Sequence, residues 1–186
     1  MKRGTSTVVC SCFLLLVLPF LFSCAGRPHF PEGESSRIIG NVPFHPQEMY
    51  QCGPASLSEV ISFWGTGVSP EEIAEEIYSK PARGTLTIDM ILYGKKKGFN
   101  VSQYQGSFDD IKKNIDSGVP LVVMVDYGFL VYQKNHYMTV FGYSNGGVIV
   151  HSGREPHAFI SLKDFLRSWE KTNFWTLQIL PQRNGR

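Results

Sequence analysis

Residues 42–53, VPFHPQEMYQCG, run straight into PASLSEVISFWG at 54–65, and this stretch decides how the chain reads. Pro43 and Pro46 keep the approach extended. Behind Cys52, the residues Leu57, Val60, Ile61 and Trp64 recur at helical spacing, which predicts a helix over 53–64 with one buried stripe. Cys52 therefore stands where a loop becomes a helix. There it faces the positive end of the helix dipole and unpaired N–H groups, which favour thiolate over thiol. A lone cysteine is usually a small buried hydrophobe. Its flanks, Gln51 and Gly53-Pro54, are not those of a core helix position and point to a thiol that is used.

Downstream, Ser69-Pro70-Glu71-Glu72 is a capping box with proline at the first helical position, and Ile73 and Ile77 give that helix its apolar side. A second helix is expected over 87–97, with Ile88, Ile91 and Leu92 inside and Gly98 as its stop. Residues 100–105 alternate as a strand. Ser107 caps a helix over 107–117 that buries Phe108, Ile111 and Ile115. Then the character changes. Residues 119–125 form a continuous apolar run, a buried central strand. Residues 136–143 and 148–152 flank Ser144-Asn145-Gly146-Gly147, a strong hairpin signal. A short helix over 161–169 and a strand over 174–180 close the folded part. Helices first and antiparallel strands later give an α+β fold, with a helical N-terminal half packed on an antiparallel sheet.

The N-terminus reads as a targeting segment. Lys2 and Arg3 precede a nearly unbroken apolar run over 8–22, too short to span comfortably and followed by small residues, so residues 1–23 are expected to be a signal peptide. Leu21-Phe22-Ser23-Cys24 resembles the bacterial lipobox. That resemblance implies cleavage before Cys24 and lipid attachment to its sulfur, and with Ala25 in place of aspartate it favours an outer membrane. The expected location is the cell envelope or cell surface, lipid-anchored; ordinary signal cleavage near Ala25 would instead give a freely secreted protein. Residues 24–41, polar with Pro and Gly, read as a tether to a domain over 42–182.

Losing Lys2 and Arg3 takes 18 basic residues to 16, against 16 acidic ones. No charge excess suggests nucleic acid, and Lys95–Lys97 reads as a solvated helix end. Of the 4 cysteines, Cys10 and Cys12 would leave with the expected signal and Cys24 would be lipidated as the lipobox resemblance implies, which leaves Cys52 with no partner for a disulfide. Nothing calls for a cofactor. Zinc held by Cys52, His136 and His151 is the alternative use of these side chains, but no C-x2-C or H-x3-H pair supports it.

A thiolate attacks a carbonyl when an imidazole takes its proton and later protonates the leaving group, with donors aimed at the developing oxyanion. His136 opens a strand in the sheet half, where it can face Cys52 across a cleft. His29 lies in the tether, His45 in the approach loop, and His157 in an expected surface turn. His151 is a rival, either as base or as a paired neighbour of the site.

VPFHPQEMYQCGPASL followed by HYMTVFGYSNGGVIVHSG resembles the papain-like peptidases of the bacteriocin-processing, double-glycine-leader type, family thirty-nine of the cysteine peptidases. It resembles the exported lipoprotein members more closely still, over nearly all of 42–180. The short papain pattern C-G-[SA]-C-W is absent. The resemblance implies a papain-like cysteine peptidase fold, Cys52 as nucleophile, His136 as general base and acid, and Gln47 as the oxyanion-hole glutamine. Gln51 is nearer in sequence and could fill that role instead. The family orients its histidine with Asp or Asn, whereas the matching stretch here, His151-Ser152-Gly153, puts Ser152 in that place. A hydroxyl can accept a hydrogen bond from the ring but brings no charge to stabilise imidazolium. Asp126 and Glu155 are the other candidate acceptors.

The expected function is a membrane-anchored, exported cysteine peptidase, a monomer that cleaves peptide or amide bonds of a peptide or protein substrate through a thioester at Cys52, with a preference for small residues before the cut. Two alternatives remain: a domain with weak or no turnover that binds an extended peptide, and an acyl-transfer enzyme using the same Cys–His pair.

Overall fold

A computed structural model describes residues 36–47 and 51–182. The expected signal segment and Cys24 lie outside the described residues. Along the chain come β1 (Arg37–Ile38), α1 (Cys52–Phe63), α2 (Pro70–Ile77), β2 (Tyr78–Ser79), β3 (Gly84–Thr85), α3 (Thr87–Lys96) and β4 (Phe99–Gln105). The second half holds α4 (Phe108–Asp116), β5 (Leu121–Asp126), β6 (Asn135–Ser144), β7 (Gly147–Ser152), β8 (Glu155–Ser161), α5 (Leu162–Glu170) and β9 (Trp175–Pro181). This is the α+β architecture expected from the sequence.

Helix ends follow their local chemistry. The Ser69 hydroxyl accepts from Glu72 N at 3.2 Å while Ser69 N donates to Glu72 Oε2 at 2.8 Å, closing the capping box that starts α2. Ser107 and Ser161 cap α4 and α5 through Asp110 N and Asp164 N. Gly98 and Gly118 follow α3 and α4 at φ +85° and +75°, a left-handed conformation that other residues adopt only at a cost.

A seven-stranded sheet runs β4-β9-β5-β6-β7-β8, with β1 also on β6, and all its pairings are antiparallel. Alternation divides its strands between two cores. On one face Val122, Tyr137, Leu177 and Ile179 pack with Leu57, Val60 and Ile61 of α1, Ile73 and Ile77 of α2, and Met90 of α3. On the other, Leu121, Val123, Val125, Met138 and Val140 meet Ile111 and Ile115 of α4 and Phe165 and Trp169 of α5. The helices of the N-terminal half thus cover one face, and α4 and α5 cover the opposite one.

Two strands of this sheet were not legible in the sequence, nor was the separate two-stranded pair β2-β3. Arg37 and Ile38 pair with Tyr143 and Gly142, so sheet pairing begins inside the stretch read as tether. Strand β8, with Pro156 near its start, is an edge strand, the place where a missing N–H is tolerated. His157, expected in a turn, is exposed but lies within β8, with φ 57° beside the register shift between Val150 and Ser152.

Strands β5 and β6 are joined by an apolar turn, Tyr127-Gly128-Phe129-Leu130-Val131-Tyr132. Its neck is closed by Asp126, whose Oδ1 accepts from Gly128 N and Lys134 N, each at 2.7 Å. Those two N–H groups hold the Asp126 carboxyl below the usual carboxylate range.

Candidate active site

Cys52 is the first residue of α1, and α1 lies on the β6 face that carries Tyr137 and Thr139. Gly53 lets the β3 segment close over this helix start, because a Cβ there would come within 2.8 Å of Thr85 Cβ. His136 sits one residue into β6, opposite Val125 of β5. The two elements meet at a cavity of about 650 Å³ whose walls include Gln47, Cys52, Thr85, Lys134, His136 and Gly153. The thiol and the imidazole therefore face one space, although 84 positions separate them in the sequence.

Burial dominates the electrostatics. It pushes the Cys52 thiol above its ordinary range, while backbone N–H groups of Tyr137, Gly53 and Cys52 itself pull the other way without winning. Burial, helped by the Lys134 charge, takes His136 down to about 4. Both shifts favour the uncharged forms, so the resting pair is thiol and neutral imidazole. The donors expected at the helix terminus are real, but burial outweighs them.

Ser152 Oγ lies 3.1 Å from His136 Nε2, which leaves Nδ1 as the ring nitrogen free for sulfur. Asp126 is engaged with the turn at its own strand's end, as described above. Glu155 is an exposed residue at the start of β8, paired in register with Ser152. Among the described residues, Ser152 is the side chain hydrogen-bonded to His136.

Gln47 is buried and its backbone N donates to Gly153 O at 2.9 Å, while its Oε1 accepts from Gly153 N at 3.2 Å. This clamp fixes the amide. Gln47 Nε2 has no hydrogen-bond partner among the described residues. A buried donor left unpaired beside a cavity is a costly arrangement unless something else occupies it. Gln51 instead lines a separate hollow with Glu71, Ala74, Glu75 and Tyr78.

His151 is placed away from this cavity. It is fully buried, its Nε2 3.2 Å from Val42 O, its Nδ1 accepting from His157 N, and its ring 4.2 Å from that of Phe141. Both ring nitrogens are engaged, so it neither competes as base nor completes a metal site with Cys52 and His136. Burial takes it to about 4.

Three residues near the site were missed. Tyr127 packs its ring beside His136, with centroids 5.8 Å apart and planes 32° off parallel. No sequence pattern marks it. Thr85, whose backbone O accepts from Tyr137 OH at 3.3 Å, has an unpartnered buried hydroxyl at the cavity wall. Glu59, fully buried, accepts His45 N at 3.1 Å through Oε1, while its Oε2 has no hydrogen-bond partner among the described residues; burial raises it to about 7. It ties the approach loop, and hence Gln47, to α1. An acid among Leu57, Val60 and Ile61 was the available signal.

The architecture is shared with solved structures. The peptidase domain of Streptococcus ComA, a bi-functional ABC transporter involved in quorum sensing, superposes with a TM-score of 0.64 at 23% identity, covering 76% of this chain and 100% of that one. A double glycine motif protease from an AMS/PCAT transporter, solved with its leader peptide, gives 0.63 at 18% identity over 80% of this chain and 98% of its own. The peptidase domain of Streptococcus mutans ComA gives 0.55 at 21% over 74% and 98%. These likenesses establish the papain-like cysteine peptidase fold. No curated protein matches the chain in sequence. A family model does match, and it spans residues 39–176, from the end of β1 into β9: the chain belongs to the Peptidase_C39 like family.

Proposed function

We propose that the protein is an exported cysteine peptidase, lipid-anchored through Cys24, that cleaves peptide bonds through a thioester at Cys52. The observation that carries this reading is the convergence of the Cys52 thiol, the His136 imidazole and the unpaired Gln47 Nε2 on one cavity. As sulfur attacks the carbonyl carbon, its proton passes to His136 Nδ1. The oxygen gains negative charge opposite Gln47 Nε2 and the Cys52 backbone N–H. Collapse breaks the C–N bond, and His136 returns the proton to the leaving amine. Water, deprotonated by the same imidazole, then releases the acid and restores the thiol. The unpartnered Thr85 hydroxyl is available to the substrate chain. The family preference for small residues before the cut, and the leader peptide bound by the AMS/PCAT protease, make peptides with Gly-Gly before the cut the first substrates to try.

The test is acid-quenched mass spectrometry of the full chain with a Gly-Gly peptide set. Cleavage with a transient acyl adduct on Cys52, both lost in Cys52→Ala, is the expected result. The neutral resting pair favours a second reading, a domain that binds an extended peptide with little turnover. Saturable peptide binding with neither adduct nor product would select it. An adduct that transfers to added amines in preference to water would select acyl transfer.

A further inference from the structure

The family's charged orienter is missing here, and what replaces it is more than Ser152. We propose that Tyr127 is a positioning residue for His136, packing its ring along the imidazole so that Nε2 stays on the Ser152 hydroxyl and offering its ring face to the imidazolium formed during attack. The inference deepens the peptidase reading and rests on it.

Serine alone is an ambiguous partner. Its hydroxyl both donates and accepts, so it can meet either tautomer of a neutral imidazole. Only the Nε2–H tautomer leaves Nδ1 able to take the Cys52 proton. His136 Nε2 lies 3.1 Å from Ser152 Oγ, and the Tyr127 ring packs along the imidazole with planes 32° off parallel, which limits the turning of the imidazole away from that bond. The second contribution is electrostatic. An aromatic face within about 6 Å of a cation attracts it, and the Tyr127 and His136 centroids are 5.8 Å apart. The hydroxyl and the ring together take over the two duties of a carboxylate, orientation and charge stabilisation.

The test needs no substrate, so it stands or falls separately from the peptidase reading. Nitrogen-15 NMR of the full chain reads the His136 tautomer, and peptide-resolved mass spectrometry reads the alkylation rate of Cys52. The expected tautomer is Nε2–H. Tyr127→Phe keeps the ring and should keep the parental tautomer and alkylation rate; Tyr127→Leu loses the ring contact and should slow alkylation at least a few-fold. In a Ser152→Asp background, whose carboxylate supplies the charge, Tyr127→Leu should cost less than it does in the parent. An Nδ1–H tautomer in the parent, or a Tyr127→Leu variant with the parental rate, overturns the proposal.

The turn itself supports a second, independent inference. Phe129, Leu130, Val131 and Tyr132 are 78, 87, 100 and 70% exposed. Of these, Tyr132 lines the cavity and the other three do not. The turn projects outward, with Lys134 at its neck and Lys171 donating to Gly128 O at 2.7 Å. An exposed apolar tip with two lysines at its base fits an anionic lipid surface. The geometry points to this tip as a second membrane contact, which rests on the proposed anchor at Cys24. Strand β6 spans 10 residues, about 33 Å, between the tip and the end where β1 attaches. The 13 residues from Cys24 to Arg37 reach at most about 45 Å, enough to bring both points to one surface.

For this, Val131→Trp in the full chain is reconstituted into vesicles with brominated acyl chains, with and without phosphatidylglycerol. Quenching of the added indole, stronger with the anionic lipid and absent when tryptophan replaces exposed Phe159 instead, is expected. An added indole that stays unquenched in the Val131→Trp protein, or is protected only on adding peptide or by self-association, overturns it. The mass of the N-terminal peptide reports lipidation independently.

Discussion

Ser152→Asp restores the charge that family members place beside the histidine, and its effect can be worked from the geometry. The new carboxylate would stand where Ser152 Oγ lies 3.1 Å from His136 Nε2. With charge centres about 4 Å apart and an effective dielectric of about 20, the attraction to imidazolium is worth about 4 kcal/mol. At about 1.4 kcal/mol per unit that corresponds to about three pKa units, and carboxylate–cation pairs give shifts of about one to three. His136, now at about 4, would rise accordingly, which favours imidazolium. Because the Cys52 thiol is held above its ordinary range, the neutral pair still predominates. The thiolate–imidazolium minority nevertheless grows by the same factor, at least ~10-fold and at most ~1,000-fold. Between the two titrations, alkylation of Cys52 proceeds through that minority. Its rate near neutral pH should therefore rise by at least ~10-fold over the parent. The assay is iodoacetamide labelling of the full chain, resolved at the Cys52 peptide by mass spectrometry, across pH 5 to 9. A folded Ser152→Asp protein labelled at the parental rate would refute the argument that Ser152 is the group His136 feels.

Gln47→Glu keeps the Oε1 that holds Gly153 N but removes the amide donor, and should lower kcat by about 100-fold or more with little change in KM; steady-state cleavage of the best peptide checks it. Glu59, raised from 4.5 to about 7, binds its proton more tightly when folded. It therefore contributes stability that is full below its unfolded pKa and is lost as pH rises through about 7. Glu59→Gln should remove this term, so its Tm relative to the parent should improve between pH 4.5 and 7, a trend read by thermal unfolding across that range. His136 is depressed to about 4, so its contribution has the opposite sign and is lost as pH falls from 6.5 to about 4. Asp126→Ala strands Gly128 N and Lys134 N and should cost about 1–3 kcal/mol in denaturant unfolding, while Asp126→Asn, which retains an acceptor oxygen, should recover much of it.

The framework was readable because it rests on periodicities and caps that act locally. Ser69 and Glu72 satisfy each other within one turn, and the alternation of 121–125 places Val122 and Val123 on opposite faces whatever lies beyond. Cys52, His136 and Gln47 were found through their flanks and a family resemblance, and they line a common cavity. What escaped, Glu59 apart, has no local signal. Tyr127 meets His136 only because the turn after β5 folds back beside β6. Strand β1 is two residues long, too short to show a period, and becomes a strand by pairing with β6. The fate of Asp126 depended on the path of a turn that returns Gly128 and Lys134 to the same oxygen.

The charge state of the site shows why a local argument can be right in kind and wrong in outcome. The N–H groups at the start of α1 do aim at sulfur, and they do favour thiolate. Each such donor acts on one charge through a few ångströms, whereas burial acts on the whole solvation of that charge. The walls that bury it are long-range products of the fold: Thr85 closing over Gly53, and β6 laid against α1. A carboxylate beside His136 would offset that loss; a hydroxyl does so only partly. The charge separation needed for attack therefore has to develop with the substrate in place, when its carbonyl oxygen can take up the donor left unpaired on Gln47. On this argument, truncated peptides that leave Gln47 Nε2 exposed to water should lose kcat more than they raise KM. A matched length series whose losses fall entirely in KM would contradict it.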